Sequence, residues 1–594
     1  MIPGIDKPFV ALADATGAST DELKLIFSFL TSYPLAAILK RIPDRSPWMK
    51  NVFIISVSLF YLVGLFDLWS GIRTLFIDAA MTYAIAYYID GSLMPWIGFV
   101  FLMGHMSVNH IHREILGQPS TIDITGAQMV NIMKLSAFCW NVHDGRLPES
   151  ALTDSQKSRA LTVMPPILKY TAWVLFFPSL MVGPAFDYAD YNSYINTSMF
   201  DSPPGKPAPP TKKSRRIPRS GRPALMKCLT GLAWLGAYLA LSPRFNTAAV
   251  TSRDYMSYSL LRRIGMLWAL GIATRTKYYA VWTLTEGACI LSGLGYNGMS
   301  PSTNTPRWDR LENVNPFGIE LAQNSRAYLE NWNKNTNYWL RNYVYLRVTP
   351  AGKKPGFRAS LMTFGTSAFW HGFAPGYYLT FILAAFVQTV AKNFRRYIRP
   401  FFLAPFKDNS DKNPAALPTK RYYDFLSWLI TQVSFSFVTA PFVLLSLHDS
   451  MMVWARVYFY VPIGVAAALA FFSPFLPFKK MLVKKLDARN QRPDGKLSRT
   501  HSHESLDPPT LLGLPHDPGA QIDDAIDEIR TEIEARRRRG SVVQMPTGNE
   551  LRKMVEDKVG RGFKIETDKE TGRIKVSVGG ETAVVPQVGV KKDL

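Results

Sequence analysis

The sequence contains little cysteine and lacks the familiar catalytic signatures. Its cysteines, Cys139, Cys228 and Cys289, lie too far apart for a CxxC metal or redox motif and are too few for a disulfide scaffold. We find no GxSxG elbow, Walker loop, dinucleotide fingerprint or HExxH motif. Catalysis by a serine nucleophile is therefore unsupported, and we expect free, mostly buried thiols.

Charge is also scarce, and it is unevenly distributed. Charged residues make up 19% of the 594 residues, below the usual roughly 25%, while aromatic residues reach 13%. Lys and Arg number 68 against 45 Asp and Glu, a net charge of +23. Apolar runs long enough to span a bilayer alternate with basic loops, which excludes a single soluble domain. Residues 1–21 lack the features of a signal peptide, so we expect insertion to depend on internal spans.

The apolar runs predict an all-α polytopic membrane domain over residues 22–478. We expect about ten or eleven transmembrane or re-entrant helices there, with 94–106 short enough to be re-entrant and with 263–293 and 358–392 long enough for two passes or broken helices. The candidate spans are 22–39, 51–69, 72–90, 94–106, 127–141, 163–183, 224–243, 263–293, 358–392, 424–447 and 453–477.

A basic, Pro-rich loop interrupts the domain at residues 202–223 and holds no acidic residue. We expect it to be disordered and cytosolic, by the positive-inside bias. Since the basic loops flank apolar spans, membrane lipids rather than nucleic acid are the expected partner.

Residues 479–594 form a charged tail that cannot cross a membrane, and we expect most of it to be disordered and cytosolic. Ile522–Arg539 has acidic residues early and arginines late, which fits a helix macrodipole, so it is either an amphipathic, partner-binding helix or a marginal solvated one. The chain ends in Lys591-Lys592-Asp593-Leu594. These lysines resemble the dilysine retrieval signal of endoplasmic reticulum membrane proteins, which is read from the cytosol.

His371 is the leading candidate for chemistry. It lies in the apolar stretch SAFWHGFAPGYYLTFILAAF, with no acidic residue and no second histidine nearby. Polar groups inside apolar spans are costly, and a neutral imidazole with an unperturbed pKa of about 6.5 can accept a proton near neutral pH. No set of converging ligands surrounds it, so we expect no metal. The alternative is a structural histidine whose ring forms a hydrogen bond with a neighbouring residue of its helix.

Residues 328–348 are unusually rich in amides. Asn331, Asn333, Asn335 and Asn337 alternate among Trp332, Trp339 and several tyrosines. Amides at this density are poor choices for a membrane helix, but they can donate to a carbonyl or an oxyanion. The alternative is that the asparagines cap a helix and that the tryptophans and tyrosines form an aromatic belt at the membrane interface.

Two further polar features leave alternatives open. His105, His110 and His112 are spaced as a weak metal motif, but a polar helix end is the better interpretation. Glu286 lies within an apolar span, where it either forms an ion pair with Lys277 or Arg275 or binds a substrate headgroup.

Together these stretches resemble the membrane-bound O-acyltransferase family. WHGFAPGYYLTF fits the family signature through Trp370, His371, Gly372, Gly376, Tyr377 and Phe381. Trp332-Asn333, 38 residues before His371, resembles the Trp-Asn motif of the lysophospholipid branch, as do residues 123–146 and 176–191. The likeness is greatest to the fungal, broad-specificity lysophospholipid branch of the endoplasmic reticulum. The motif of sterol and diacylglycerol acyltransferases is absent.

The resemblance implies transfer of a fatty acyl chain from acyl-CoA, as co-substrate and without a cofactor, to the free hydroxyl of a lysophospholipid. We expect this hydroxyl to be the one at sn-2. His371 would be the general base and Asn333 the group that stabilises the oxyanion or orients the hydroxyl. Substrate-binding candidates are Trp332, Asn337, Trp339, Trp370, Gly376, Tyr377 and Glu286. The implied fold is a helical bundle around a catalytic chamber at bilayer depth.

The polyanionic donor would need a basic cytosolic mouth, for which the candidates are Arg341, Arg347, Lys353, Lys354 and Arg358; plain membrane-facing basic loops are the alternative. A polytopic transporter or scramblase that relays protons through His371 is the competing function. No internal repeat supports it. Residue spacing does not reveal which headgroup or which acyl chain is preferred. It does not reveal the oligomeric state either.

Overall fold

The computed structural model describes residues 5–16, 19–116, 123–201, 216–300, 303–349, 357–405, 414–473, 475–490, 563–567, 574–578 and 581–584. The helices in these ranges are Lys7–Thr16 (α1), Thr20–Leu39 (α2), Pro47–Leu59 (α3), Trp69–Tyr88 (α4), Met94–Leu116 (α5), Thr125–Gly145 (α6), Asp154–Lys157 (α7), Ile167–Val174 (α8), Tyr188–Ile195 (α9), Gly221–Leu241 (α10), Thr247–Thr251 (α11), Leu260–Ser292 (α12), Pro316–Glu320 (α13), Ser325–Glu330 (α14), Lys334–Leu340 (α15), Phe357–His371 (α16), Pro375–Tyr397 (α17), Lys420–Leu444 (α18), Leu447–Arg456 (α19), Tyr460–Phe471 (α20) and Pro477–Asn490 (α21). Two π-helical segments, Phe60–Leu65 and Arg341–Tyr345, continue α3 and α15.

Several helices are suited to a membrane by length and composition. Four described helices are long and apolar enough to cross one, namely α2, α3 with its π-helical extension, α10 and α18. The pair α19 and α20, bent by 74°, qualifies as a fifth if it is one span. The predicted all-α polytopic class is confirmed, while the expected total of ten or eleven crossings stays a prediction.

Two predicted spans are wrong in length. The 94–106 segment is not a short re-entrant element, because α5 continues to Leu116. The polar second half of α5 is stabilised by neighbours; Asn109 Nδ2, for example, donates to Gln128 Oε1 of α6 at 2.6 Å. The 163–183 segment contains no spanning helix; it holds the eight-residue α8 and a one-turn 3-10 helix, Phe177–Ser179. Pro178 has no N–H to donate to the carbonyl of Val174, and Lys134 Nζ donates to it instead at 3.1 Å.

The two long candidate spans, 263–293 and 358–392, differ in structure. α12 is one continuous helix of 33 residues, so no break divides 263–293, and it ends at Gly293 with φ of 110°. The 358–392 stretch is broken, as one of the two alternatives predicted. Its halves are α16 and α17, which meet immediately after His371.

The centre of the fold is α6. Seventeen of its 21 residues are buried, on all sides of the helix. Cys139 lies there, and Cys289 is buried on α12, while Cys228 is partly buried; all three are free thiols, as predicted. A fully buried helix can hold segments from several directions, which matters for the site below.

Parts of the tail and the basic loop lie outside the described residues, including 202–215, Ile522–Arg539 and the terminal lysines. In the tail the structure describes α21, which crosses the expected domain boundary, and three strands, Phe563–Thr567 (β1), Ile574–Val578 (β2) and Glu581–Val584 (β3). They form an antiparallel sheet of order β1-β2-β3 with Phe563 opposite Val578 and Lys575 opposite Val584. The sequence did not predict this sheet.

Candidate active site

His371 is the last residue of α16, and its imidazole lies among aromatic rings. The ring centroids of Trp370, Phe442, Phe381 and Tyr377 are 4.6, 4.8, 5.3 and 5.5 Å from its own. The His371 side chain keeps part of its surface accessible, and its ring nitrogens have no hydrogen-bond partner in the described parts of the chain. Such an imidazole is available to exchange a proton with a substrate group.

The other motif residues explain how His371 is held. Trp370 Nε1 donates to the carbonyl of Met129 on α6 at 3.1 Å. Gly372 has φ of 126°, a conformation that glycine adopts without the penalty that a Cβ would impose, and this turn ends α16. The N–H of Gly376 donates to the carbonyl of Leu445 at 2.8 Å, and a Cβ at Gly376 would overlap the carbonyl oxygen of Pro441. The signature therefore builds a tight junction between α16, α17 and α18.

Asn333 differs from its neighbouring asparagines. It precedes α15 with φ of 44° and ψ of 57°, a left-handed conformation that few residues other than glycine tolerate and that asparagine tolerates best. Its Oδ1 accepts from the Thr336 hydroxyl at 2.8 Å. Within the described residues its amide nitrogen has no acceptor.

The amide nitrogens of the other three asparagines are occupied. Asn331 donates to the carbonyl of Ala327, and Asn335 donates to Asn313 Oδ1. Asn337 Nδ2 donates to the carbonyls of Leu329 and Trp332 at 2.8 and 2.7 Å. Asn337 therefore stabilises the turn around Trp332, and of the four amide nitrogens only that of Asn333 has no acceptor within the described residues.

The tryptophans of this segment pack in two directions. The Trp332 ring lies 5.5 Å from that of Tyr278 and 5.0 Å from that of Trp282, both on α12. Trp339 Nε1 donates to the hydroxyl of Ser136 on α6 at 2.8 Å. The aromatic residues thus fix the Asn333 segment between α12 and α6.

α6 connects the two motifs. Met129 accepts from Trp370, and one turn further Met133 Sδ lies 3.3 Å from the hydroxyl of Thr336, the residue bonded to Asn333. Because residues four apart share a helix face, the His371 and Asn333 segments attach to successive turns of one face of a buried helix. The structure therefore brings the two leading candidates to the same part of the core.

Glu286 is engaged with a partner that the sequence did not indicate. Its Oε1 lies 2.8 Å from Lys227 Nζ of α10, and its side chain is 1% exposed. The predicted partners are wrong, because Lys277 pairs with Glu22 at 3.6 Å and Arg275 pairs with Glu320 at 2.7 Å. Hydrophobic periodicity cannot show which neighbouring helix offers the cation. Of the two alternatives for Glu286, an ion pair or a headgroup contact, the structure shows the ion pair, with Lys227 as the partner.

The candidate donor-binding cations lie in varied settings. Arg347 makes a two-pronged ion pair with Asp144, and its guanidinium stacks over the Trp140 ring at 4.3 Å. Arg358 is exposed, and Arg341 is half-buried. Lys353 and Lys354 lie outside the described residues.

The histidines of α5 serve separate neighbours. His105 Nδ1 lies 2.6 Å from Asp78 Oδ1, His110 Nε2 lies 3.2 Å from the carbonyl oxygen of Trp370, and His112 is exposed. The interpretation of this cluster as a polar helix end is wrong for His110, which is 8% exposed and packs against the His371 turn. Sequence reasoning also missed Phe442. In the sequence, the one feature that could have singled out His110 is that an ionisable residue continues an apolar helix.

Comparisons with known proteins show the family to which the chain belongs. The model of the membrane-bound O-acyltransferase family matches residues 117–439. A lysophospholipid acyltransferase of Schizosaccharomyces pombe is 46% identical over 485 residues, covering 82% of this chain and 92% of the relative. One of Saccharomyces cerevisiae is 43% identical, covering 86% and 83%. The human membrane-bound glycerophospholipid O-acyltransferase 2 is 28% identical, covering 74% and 81%. Nothing in these likenesses supports the transporter alternative. The chain is a multi-pass membrane protein that belongs to the membrane-bound O-acyltransferase family.

Proposed function

We propose that this protein transfers a fatty acyl chain from acyl-CoA to the free hydroxyl of a lysophospholipid, with His371 as general base. The observation that carries the proposal is the aromatic-lined imidazole of His371, half-buried and without a hydrogen-bond partner in the described residues, in a chain whose similar relatives are named lysophospholipid acyltransferases. Those names supply the acceptor class. The acyl-CoA donor is inferred from the chemistry below.

The reaction can be written as a direct transfer. A nitrogen of His371 takes the proton of the acceptor hydroxyl as its oxygen attacks the thioester carbon. A new C–O bond forms, the C–S bond breaks, and coenzyme A leaves as a thiolate. Since a thiol has a pKa near roughly 8.5, its departure needs little help from an acid. The scheme requires no covalent acyl-enzyme and no metal or cofactor.

Asn333 supplies the second group of the mechanism, a hydrogen-bond donor for the oxyanion. Its amide nitrogen, unlike those of Asn331, Asn335 and Asn337, is left for a substrate by its surroundings. A donor placed against the developing oxyanion contributes about 3 to 4 kcal/mol. Its left-handed backbone is held by Asn313, whose carbonyl accepts from the N–H of Lys334 at 2.8 Å. The donor is thereby positioned before the substrate arrives.

The remaining motif residues would shape the acyl-binding space. Trp370, Tyr377 and Phe381 surround His371 with apolar surface, and Trp332 and Trp339 hold the Asn333 segment. An apolar lining with few polar groups suits a fatty acyl chain. We place the protein in the endoplasmic reticulum membrane, as the resemblance to the fungal lysophospholipid branch implies, with the segment after α20 in the cytosol. This orientation follows from the positive-inside bias, because Lys479, Lys480, Lys484 and Lys485 lie just after that helix. Protease protection in intact microsomes of an epitope placed after residue 490 would contradict it.

The test is acyl transfer by the purified protein from labelled oleoyl-CoA to a panel of lysophospholipids that differ in headgroup. We expect a labelled diacyl product and release of free coenzyme A in equal amounts. Absence of product with every lysophospholipid, from protein that is monodisperse in detergent, would overturn the proposal.

A further inference from the structure

A second histidine contacts the turn that carries His371. The carbonyl of Trp370 lies in the last turn of α16, where backbone carbonyls have no partner within the helix. It accepts its hydrogen bond from another element, because His110 Nε2 of α5 lies 3.2 Å away. His110 is 8% exposed. A buried imidazole thus caps the C-terminal end of the helix that ends at the candidate base.

The same ring also packs on the residue after His371. A Cβ built on Gly372 would lie 3.3 Å from His110 Nδ1 and 3.5 Å from its Cγ, so the imidazole lies against the Gly372 backbone. His110 therefore contacts both neighbours of His371 in the chain. The other α5 histidines have no such role, since His105 pairs with Asp78 and His112 is exposed.

We infer that His110 is a positioning residue for His371. The Trp370 carbonyl and the His371 N–H belong to one peptide plane, so fixing that plane fixes the position of the His371 Cα and the direction of its N–Cα bond. The helical φ of His371, the last residue of α16, then sets the direction of its Cα–Cβ bond. Because a carbonyl only accepts, Nε2 of His110 carries the proton and donates it. The hydrogen bond thus sets the orientation of the catalytic imidazole from α5. This inference rests on the proposed function, in which His371 is the base.

The orientation matters because proton transfer needs a close approach. A misplacement of about 1 Å can lower the rate about a hundredfold. Loss of the hydrogen bond should therefore lower kcat and leave the KM values for both substrates nearly unchanged, since His110 touches the His371 turn rather than the substrate.

Two substitutions separate the hydrogen bond from the packing. His110→Phe keeps a ring against Gly372 and removes the donor, whereas His110→Gln keeps a terminal N–H at a similar reach and removes the ring. We expect kcat to fall at least about tenfold in His110→Phe and to stay within about threefold of the parent in His110→Gln. The exposed His112→Phe is the matched control and should behave like the parent.

Two measurements check that each variant is folded. The first is its Tm, and the second is the increase in Tm on adding oleoyl-CoA in the absence of a lysophospholipid. Both should match the values of the parent. If His110→Phe does not fold, His110→Leu replaces it. Parental kcat in the variant without a donor would overturn the inference, and so would an equal loss in His110→Gln. Failure of the proposed function is distinct, because then the parent itself transfers no acyl chain.

Discussion

The indole rings of Trp339 and Trp370 pack with their centroids 6.0 Å apart. Trp339 belongs to the asparagine-rich segment and Trp370 directly precedes His371, so this contact joins two stretches that are more than thirty residues apart in the chain. Each indole N–H is also bonded to α6, Trp339 to Ser136 and Trp370 to Met129. The site is therefore assembled on one buried helix, and several consequences can be measured.

Substitutions of Asn333 should lower kcat and leave the fold intact. Asn333→Asp keeps the oxygen that Thr336 donates to and removes the N–H donor, and Asn333→Gly keeps a residue suited to φ of 44°. Loss of one oxyanion donor should reduce kcat by about a hundredfold or more. Asn335→Ala is the control, because the backbone N–H of Asn335 still donates to Asn313. Parental turnover in both Asn333 variants would remove this residue from the mechanism.

A Cβ at Gly376 should be far more harmful than one at Gly365, although both glycines lie in the helices that flank His371. The Gly376→Ala methyl group would overlap the Pro441 carbonyl oxygen, which forces α17 away from α18. At Gly365, in the part of the chain that the structure describes, no heavy atom outside its own helical turn lies within 4 Å of the corresponding position. We expect Gly376→Ala to lower Tm and to reduce activity at least tenfold, and Gly365→Ala to be stable or up to about 1 kcal/mol more stable. Equal Tm values would contradict this geometry.

The ion pair between Glu286 and Lys227 predicts a non-additive pair of substitutions. Lys227→Met leaves the Glu286 carboxylate buried without its cation, which should cost about 3 to 5 kcal/mol. Adding Glu286→Gln removes the buried charge, so the double variant should regain most of the lost stability. Thermal melting of the three variants in detergent measures this, and a double variant no more stable than Lys227→Met would show that the two residues are not coupled.

Arg347 should behave as a structural residue. Arg347 pairs in a bidentate manner with Asp144, which is 1% exposed. Arg347→Met removes the guanidinium from that buried carboxylate and leaves it only the Gln156 amide at 3.3 Å and the His143 ring at 3.5 Å. The expected result is a lower Tm with the KM for oleoyl-CoA unchanged in the folded fraction. Arg347→Lys should restore only part of the stability, because lysine cannot reproduce the bidentate geometry. A KM raised tenfold at parental Tm would instead assign Arg347 to the donor.

Much of the architecture follows from hydrophobic patterning. Apolar runs locate α2, α10 and α18 because a bilayer demands about twenty apolar residues. The same rule fails for α5 and α8. The second half of α5 is polar yet helical, since its side chains bond to α6, and α8 stops early because Pro178 cannot continue it.

The candidate site could be predicted in part. His371 and Asn333 were identified from motifs, but spacing alone does not distinguish Asn333 from Asn337. The difference is tertiary, because the carbonyls of Leu329 and Trp332 occupy the Asn337 amide. The Lys227 partner of Glu286 and the contact of His110 with Trp370 depend on helices distant in sequence, so no local pattern predicts them.

The most direct test of His371 as the general base is the turnover of His371→Ala, compared with the parent and with His448→Ala, a substitution at an exposed histidine. All three proteins are purified in detergent, matched in Tm and supplied with labelled oleoyl-CoA and the best lysophospholipid acceptor. Removing the general base should lower kcat at least a hundredfold, whereas His448→Ala should retain the parental rate. Parental turnover by a folded His371→Ala protein would contradict the account.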